Sequence, residues 1–234
     1  MSFKHACFIS YRNGDRNDTG LDARRQDIAD TMNAFARDLR DELKRALITS
    51  INLLPCLVFL DQDVECLSKG DPLMATLSAS ICESVCMVVV FTGHYLDEEK
   101  LICAAELEGM LRRLKERCQK LKVSENRASE WVFTAVFREP EQVPQILNEN
   151  LRFDFTAYDS SSKPLRDHPG YLDNIRGLAL KIKDAWNEMK HHDALNFTDD
   201  CPNFNILDPD QNEQDLLQFV KTNKKPYSPK FVRS

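Results

Sequence analysis

The sequence predicts a three-layer α/β/α domain with a flavodoxin-like, five-stranded parallel sheet, and three observations carry that expectation. Val85 to Thr92 reads VCMVVVFT without polar alternation, the pattern of a strand buried on both faces at the centre of a parallel sheet. Short runs rich in β-branched and aromatic residues alternate with stretches whose apolar residues recur every three or four positions, so strands alternate with helices. A chain of 234 residues that is 42% hydrophobic can fill one core of generous size.

The elements follow in order. His5 to Tyr11, HACFISY, is apolar and ends in Arg12-Asn13-Gly14-Asp15, so it reads as a buried strand running into a polar loop. From Gln26 the spacing turns helical, with Ile28, Met32, Phe35, Leu39, Leu43 and Leu47 on one side and charges of both signs on the other. Pro55 closes the connection, and Cys56 to Asp61, CLVFLD, is a second buried strand. The polar loop QDVECLSKGD leads to Pro72, which suits a first helical turn, and Leu73, Leu77 and Ile81 form that helix's inner face. After the central strand, Asp97, Glu98 and Glu99 put negative charge where a helix start favours it, and Leu101 to Cys118 continues as a helix with basic last turns. Trp131 to Phe137 and Arg152 to Tyr158 read as the remaining strands, the second alternating and hence nearer an edge. Tyr171, Ile175, Leu178, Ile182, Trp186 and Met189 mark a closing helix. Five strands with intervening helices imply right-handed crossovers and a doubly wound sheet.

The domain is expected over residues 1–190, with 191–234 a partly irregular C-terminal extension. After His191 the composition shifts to Asp, Asn and Pro, with one short helical candidate from Gln214 to Lys221, so the extension is expected to be loosely docked or partly disordered. No internal repeat is visible. The longest unbroken apolar run, Val85 to Phe91, is far short of the roughly 18 residues a membrane span needs. The first residues, MSFKHACFIS, lack the basic region and long apolar stretch of a secretion signal. The expectation is a soluble, cytoplasmic protein with no membrane partner.

Net charge is −6, from 31 Lys+Arg against 37 Asp+Glu, which offers no broad positive field for nucleic acid, although Arg112 to Lys122 is locally basic. The eight cysteines form no CxxC pair and sit mostly in apolar stretches, so they read as reduced core residues. Clustered Cys/His ligands are lacking, since His191 and His192 adjoin each other but stand apart from Cys201, and no metal site is expected.

The usual nucleotide signatures are missing. There is no GxGxxG and no GxxxxGK followed by Ser or Thr, and the loop after the first strand carries Arg12 where a pyrophosphate cradle wants glycines. A receiver-type magnesium site needs an aspartate at a central strand end, where this chain has Ser10-Tyr11-Arg12 and Thr92-Gly93. No GxSxG elbow occurs. One residue breaks a rule: Glu106 lies inside the apolar stripe Ile102, Cys103, Leu107, Met110, Leu111 and Leu114. A carboxylate there either leans to the rim and pairs with an Arg or Lys, or is held beside a cleft for chemistry.

Three stretches, FISYR (Phe8 to Arg12), FLDQDVECLSKGD (Phe59 to Asp71) and SICESVCMVVVFTGHYLDEEKLICAAEL (Ser80 to Leu107), together resemble the ordered motif series of a Toll/interleukin-1 receptor (TIR) domain. Phe8, Ser10 and Tyr11 match the family's first box, Asp61 and Gly70 the second strand and its BB loop, and Cys103, Glu106 and Leu107 the W-C-x-x-E-L motif of the helix after the third strand. The match covers Lys4 to Cys118, and only the strand–helix rhythm continues it to about Lys190. Two positions depart from the pattern: Ile102 stands where the family usually has Trp, with Tyr95 a candidate to supply the aromatic wall, and Thr92 replaces a common Ser.

The resemblance implies a TIR fold and one of two functions. Some TIR domains are adaptors that assemble with other TIR domains; others cleave NAD+ at the nicotinamide–ribose bond, as in bacterial-type, Thoeris-like immune systems. The helix glutamate is the enzymes' catalytic residue, a role that carries over to Glu106. NAD+ would then be substrate and no cofactor or metal is implied. The product would be ADP-ribose or a cyclic isomer, and the enzyme would either deplete NAD+ or make a nucleotide signal for a separate effector. Ligands gather at the carboxyl ends of parallel strands, so Tyr11, Arg12, Asp61 and Thr92 to Tyr95 are expected to share one rim with the start of the Glu106 helix, where Ile102 and Cys103 would line the substrate. Arg12 is assigned to the phosphates, Phe8 and Tyr95 to ring contacts, and Lys69 and Gly70 to a BB loop that gates the pocket and contributes to self-association.

Overall fold

The computed structural model describes residues 3–11, 23–47, 57–60, 73–93, 95–98, 101–148, 151–159, 164–206 and 213–224. Five strands, β1 (His5–Tyr11), β2 (Val58–Leu60), β3 (Ser84–Phe91), β4 (Val132–Val136) and β5 (Leu151–Asp154), form one sheet in the order β2-β1-β3-β4-β5. Every neighbouring pair is parallel. That strand order is the flavodoxin-like one. β1 and β3 are buried along their whole length, as their unbroken apolar sequences require, while β5 pairs only with β4 and is partly exposed.

Seven helices surround the sheet among the described residues: α1 (Ala23–Leu47), α2 (Leu73–Cys82), α3 (Ile102–Leu121), α4 (Gln145–Asn148), α5 (Thr156–Asp159), α6 (Tyr171–His191) and α7 (Glu213–Asn223). α1 packs on α6, and α2 packs on α3, so the two pairs make the outer layers of an α/β/α sandwich. Met32, Phe35, Leu39, Leu43 and Leu47 of α1 and Ile175, Leu178, Ile182, Trp186 and Met189 of α6 are all buried, at the three-to-four spacing of an inward stripe. Phe35, Phe137 and Phe155 meet in edge and stacked contacts with centroids 5.1 to 5.3 Å apart, closing the core at the α1 side.

Three sequence expectations are corrected. The last strand ends at Asp154 and does not reach Tyr158, because the Asp154 carboxylate accepts from the Thr156 N–H at 2.9 Å and its hydroxyl at 2.7 Å, which starts the short α5. The cysteines are not all reduced: Cys82 and Cys201 form a disulfide across 119 residues of sequence, while Cys7, Cys86, Cys103 and Cys118 are buried thiols. The described parts of the extension are not loosely docked. Phe197, Ile206 and Val220 belong to the core, and α7 packs on α3. The few apolar residues of this segment are spaced too irregularly for periodicity to announce them.

The basic run on α3 is structural. Arg117 is buried and donates to the carbonyls of Val85 (2.9 Å) and Cys82 (2.8 Å), with its guanidinium over the Phe3 ring. Arg113 is buried too and donates to the Phe197 carbonyl at 2.6 Å. Charge that looks like a surface patch in the sequence is therefore partly spent inside the fold.

Candidate active site

The carboxyl ends of β1 and β3 lie side by side, with Tyr11 opposite Val90 in the register. β1 delivers Ser10, a hydroxyl in a strand otherwise suited to burial. The chain leaving β3 turns at once, the Tyr95 N–H donating to the Thr92 carbonyl at 2.8 Å, and this turn points Tyr95 back into the core. The Glu139 carboxylate, from the β4–α4 connection, lies against Gly93 in that turn. α3 then starts at Ile102 and brings Glu106 inward on the face that also buries Cys103, Leu107 and Met110.

These three elements meet in one hydrogen-bonded chain. The Ser10 hydroxyl donates to Glu106 Oε2 at 2.5 Å, and Ser10 Oγ lies 2.7 Å from the Tyr95 hydroxyl. Each hydroxyl has one proton to give. With the Ser10 proton on Glu106, Tyr95 donates to Ser10; its other neighbour, the Cys103 carbonyl, is more distant at 3.4 Å. Burial is the largest influence on the Tyr95 phenol and raises its pKa well above the usual value; the nearby Cys103 and Glu106 act in the same direction, and the Ser10 hydrogen bond opposes them. Tyr95 is thus a fixed proton donor at neutral pH.

Glu106 itself is only 5% exposed. Of the two readings open for it, the carboxylate held in the core is supported by this burial and by the Ser10 hydroxyl on Oε2. Cys103 lies beside it, almost fully buried. Tyr11 is also buried, at the strand end. Phe8 is brought to a different place: it is fully buried in the core, stacked on Phe59 with centroids 5.4 Å apart, so it presents no face for ring contacts with a ligand. Ile102 departs from its expected place in the buried stripe and is 39% exposed at the start of α3. Tyr95, proposed as an aromatic wall, engages the site through its hydroxyl. Arg12, Asp61, Lys69 and Gly70 lie outside the described residues.

No family model matches the chain, and no curated protein does. Among solved structures, the activated Roq1 resistosome directly recognizing the pathogen effector XopQ (TIR domains) aligns over 92% of this chain and 96% of that one, at 17% identity and a TM-score of 0.30. At that degree of superposition the likeness says nothing of family or activity. The fold assignment rests on the strand order.

Ser10 is the residue that sequence reasoning left without a role. Its signal was available: one hydroxyl near the end of an otherwise buried strand has to find a partner. Among the described residues no group of three or more His, Cys, Asp or Glu side chains could hold a metal ion. No helix among them is long and apolar enough to cross a membrane.

Proposed function

We propose that the protein is a TIR-type enzyme that cleaves NAD+ at the nicotinamide–ribose bond, with Glu106 as the catalytic carboxylate. The observation that carries the reading is the Ser10–Glu106 hydrogen bond of 2.5 Å backed by Tyr95: the first motif box and the helix motif, read separately in the sequence, meet at the carboxyl edge of a parallel sheet.

The chemistry suits a single carboxylate. The C1′–N bond breaks with its electron pair going to the pyridinium nitrogen, so nicotinamide leaves neutral and needs no acid. The ribose becomes oxocarbenium-like, and a preorganised negative charge beside it lowers the barrier. Water then adds at C1′ and loses a proton, giving ADP-ribose, or a nucleophile of the same molecule closes a cyclic isomer. Ser10 fixes one carboxylate oxygen in place, which reduces the reorganisation the transition state would otherwise require. Arg12 on the phosphates, Asp61, Lys69 and Gly70 at the pocket mouth, a cytoplasmic setting, TIR–TIR self-association and a separate effector that senses the nucleotide product complete the proposal as an immune signalling enzyme.

The second reading, a non-catalytic TIR adaptor, is favoured by the exposed Ile102 where the family usually has Trp. Incubation with NAD+ separates the two, with products resolved by chromatography and mass spectrometry beside Glu106→Ala and Glu106→Gln. Nicotinamide released by the wild type and lost in both variants supports the enzyme. No release even when the chain is clustered at high concentration leaves the adaptor.

A further inference from the structure

The extension is joined to the domain by more than chain continuity. Cys201 is disulfide-bonded to Cys82, the last residue of α2. Just beyond it, Ile206 presses on α3 at Gly109, where its Cγ2 lies 3.0 Å from the position a Cβ would take. A glycine in a helix interior is unfavourable against alanine, and here it makes the seat for Ile206. The Ile206 N–H donates to Ser78 Oγ of α2 at 3.1 Å. α3 reaches across in turn: Arg112 donates to the Asn205 carbonyl and Arg113 to the Phe197 carbonyl, each at 2.6 Å, with both guanidinium groups over the Phe204 ring. The segment thus bridges α2 and α3, the helix that carries Glu106.

We propose that Cys82–Cys201 is a thiol–disulfide exchange site for a dithiol reductant, and that opening it releases the extension from the α2–α3 face. The two sulfurs differ in access: Cys82 is fully buried and Cys201 is 7% exposed, so attack falls on Cys201. A thiolate of the reductant bonds to Cys201 Sγ, and the electron pair of the broken S–S bond goes to Cys82, which takes up a proton. The second thiol then displaces Cys201 and the reductant departs as a cyclic disulfide. Two electrons and two protons pass from dithiol to protein.

Release follows from effective concentration. While the bond is closed, Ile206 cannot move far from its seat even when its contacts break, so it returns at once. With the bond open, the segment from Asp193 to Ile206, which contains only short helical turns, is held by noncovalent contacts alone: those above, the Phe197 ring on Phe3, and Lys120 on Asn196 and Asp200. This inference stands apart from the NAD+ reading, and its test uses no activity measurement.

The full chain, purified without reductant, is digested under non-reducing conditions and mapped by mass spectrometry, then followed by hydrogen–deuterium exchange in oxidised and reduced dithiothreitol. The expected results are a Cys82–Cys201 cross-linked peptide and at least several-fold faster exchange across residues 193–206 and 102–114 after reduction. Cys201→Ser is expected to exchange like the reduced chain in both buffers, which assigns the change to this bond and not to another cysteine. If Cys201→Ser fails to fold, a titration of the wild type with dithiothreitol gives the same answer, since loss of the cross-linked peptide and gain in exchange must rise together. Absence of the cross-link, or its loss without faster exchange, overturns the proposal.

Discussion

The two ends of α3 both bury charge, and they do so in opposite ways. At the start of the helix Glu106 is held by the hydroxyl of Ser10, itself backed by the hydroxyl of Tyr95. Toward the other end Arg117 is held by two backbone carbonyls, of Val85 and Cys82, and by the Phe3 ring. Burial, with Arg113 nearby, pushes the Arg117 pKa down to about 9, against the opposing pull of Cys86 and Glu116, so it remains a cation at pH 7. Carbonyls at a strand and helix end cannot turn away, and a guanidinium so fixed ties elements together. Hydroxyls rotate and exchange partners, so the carboxylate they hold can respond to a ligand. Under the proposed function, the comparison separates a charge used for the fold from one used for chemistry.

The sharpest way to break that distinction is to remove each charge while keeping its shape. Glu106→Gln is expected to lower NAD+ cleavage on the order of 10³-fold, as loss of a transition-state charge contact does, while the unfolding free energy in urea changes by no more than about 1 kcal/mol. Arg117→Met is expected to do the reverse. Two buried carbonyls lose their donor at about 1–3 kcal/mol each, so the urea midpoint should fall steeply while turnover per folded molecule stays at the wild-type level. If Glu106→Gln unfolds the protein and leaves turnover intact, the acid is structural and the division fails.

Much of this was legible in the sequence, and the exceptions have physical causes. The unbroken apolar runs of β1 and β3 and the long stripes of α1 and α6 identify themselves, because burial on both faces or along one face leaves a periodic trace. Glu106 stood out for breaking such a trace. What periodicity cannot carry is partnership across the chain. Ser10 and Glu106 are 96 residues apart and Cys82 and Cys201 are 119 apart, and neither pairing has a local signature. The buried cations of α3 misled for the same reason: in the sequence Arg113 and Arg117 belong to a basic run, and only the fold shows which of its members face carbonyls. The last strand was read too long because alternation alone does not register a capping aspartate such as Asp154.

A smaller effect sharpens the comparison within the site. Ser10→Ala removes the donor to Glu106 Oε2 without touching the charge. On the proposed mechanism the expected loss is about tenfold in kcat, near 1.4 kcal/mol of barrier, with KM little changed, since Ser10 there acts through the carboxylate. Ser10→Thr, which restores a hydroxyl, should recover part of the rate. Equal losses in Ser10→Ala and Ser10→Thr would mean that packing at this strand end matters and the hydrogen bond does not.

The smallest expected effect is one of pH, and it tests the far end of the same chain. The Tyr95 phenol is raised above its ordinary value by burial first and by Cys103 and Glu106 second. In the unfolded chain a tyrosine loses its proton near pH 10, whereas in the folded chain Tyr95 keeps it. The native state therefore binds more protons than the unfolded state in alkaline solution, and stability falls there as pH rises. Below about pH 10 both states are protonated and the contribution is fully present. Above it, the unfolded state gains from ionising and the protein loses stability progressively until the folded-state value is passed. Tyr95→Phe has no proton to lose at this position, so its urea midpoint should decline less than that of the wild type between pH 9 and 11, while near pH 7 it should be slightly the less stable, for want of the hydrogen bond to Ser10. Parallel decline of the two proteins would show that the Tyr95 phenol is not the group behind the alkaline loss of stability.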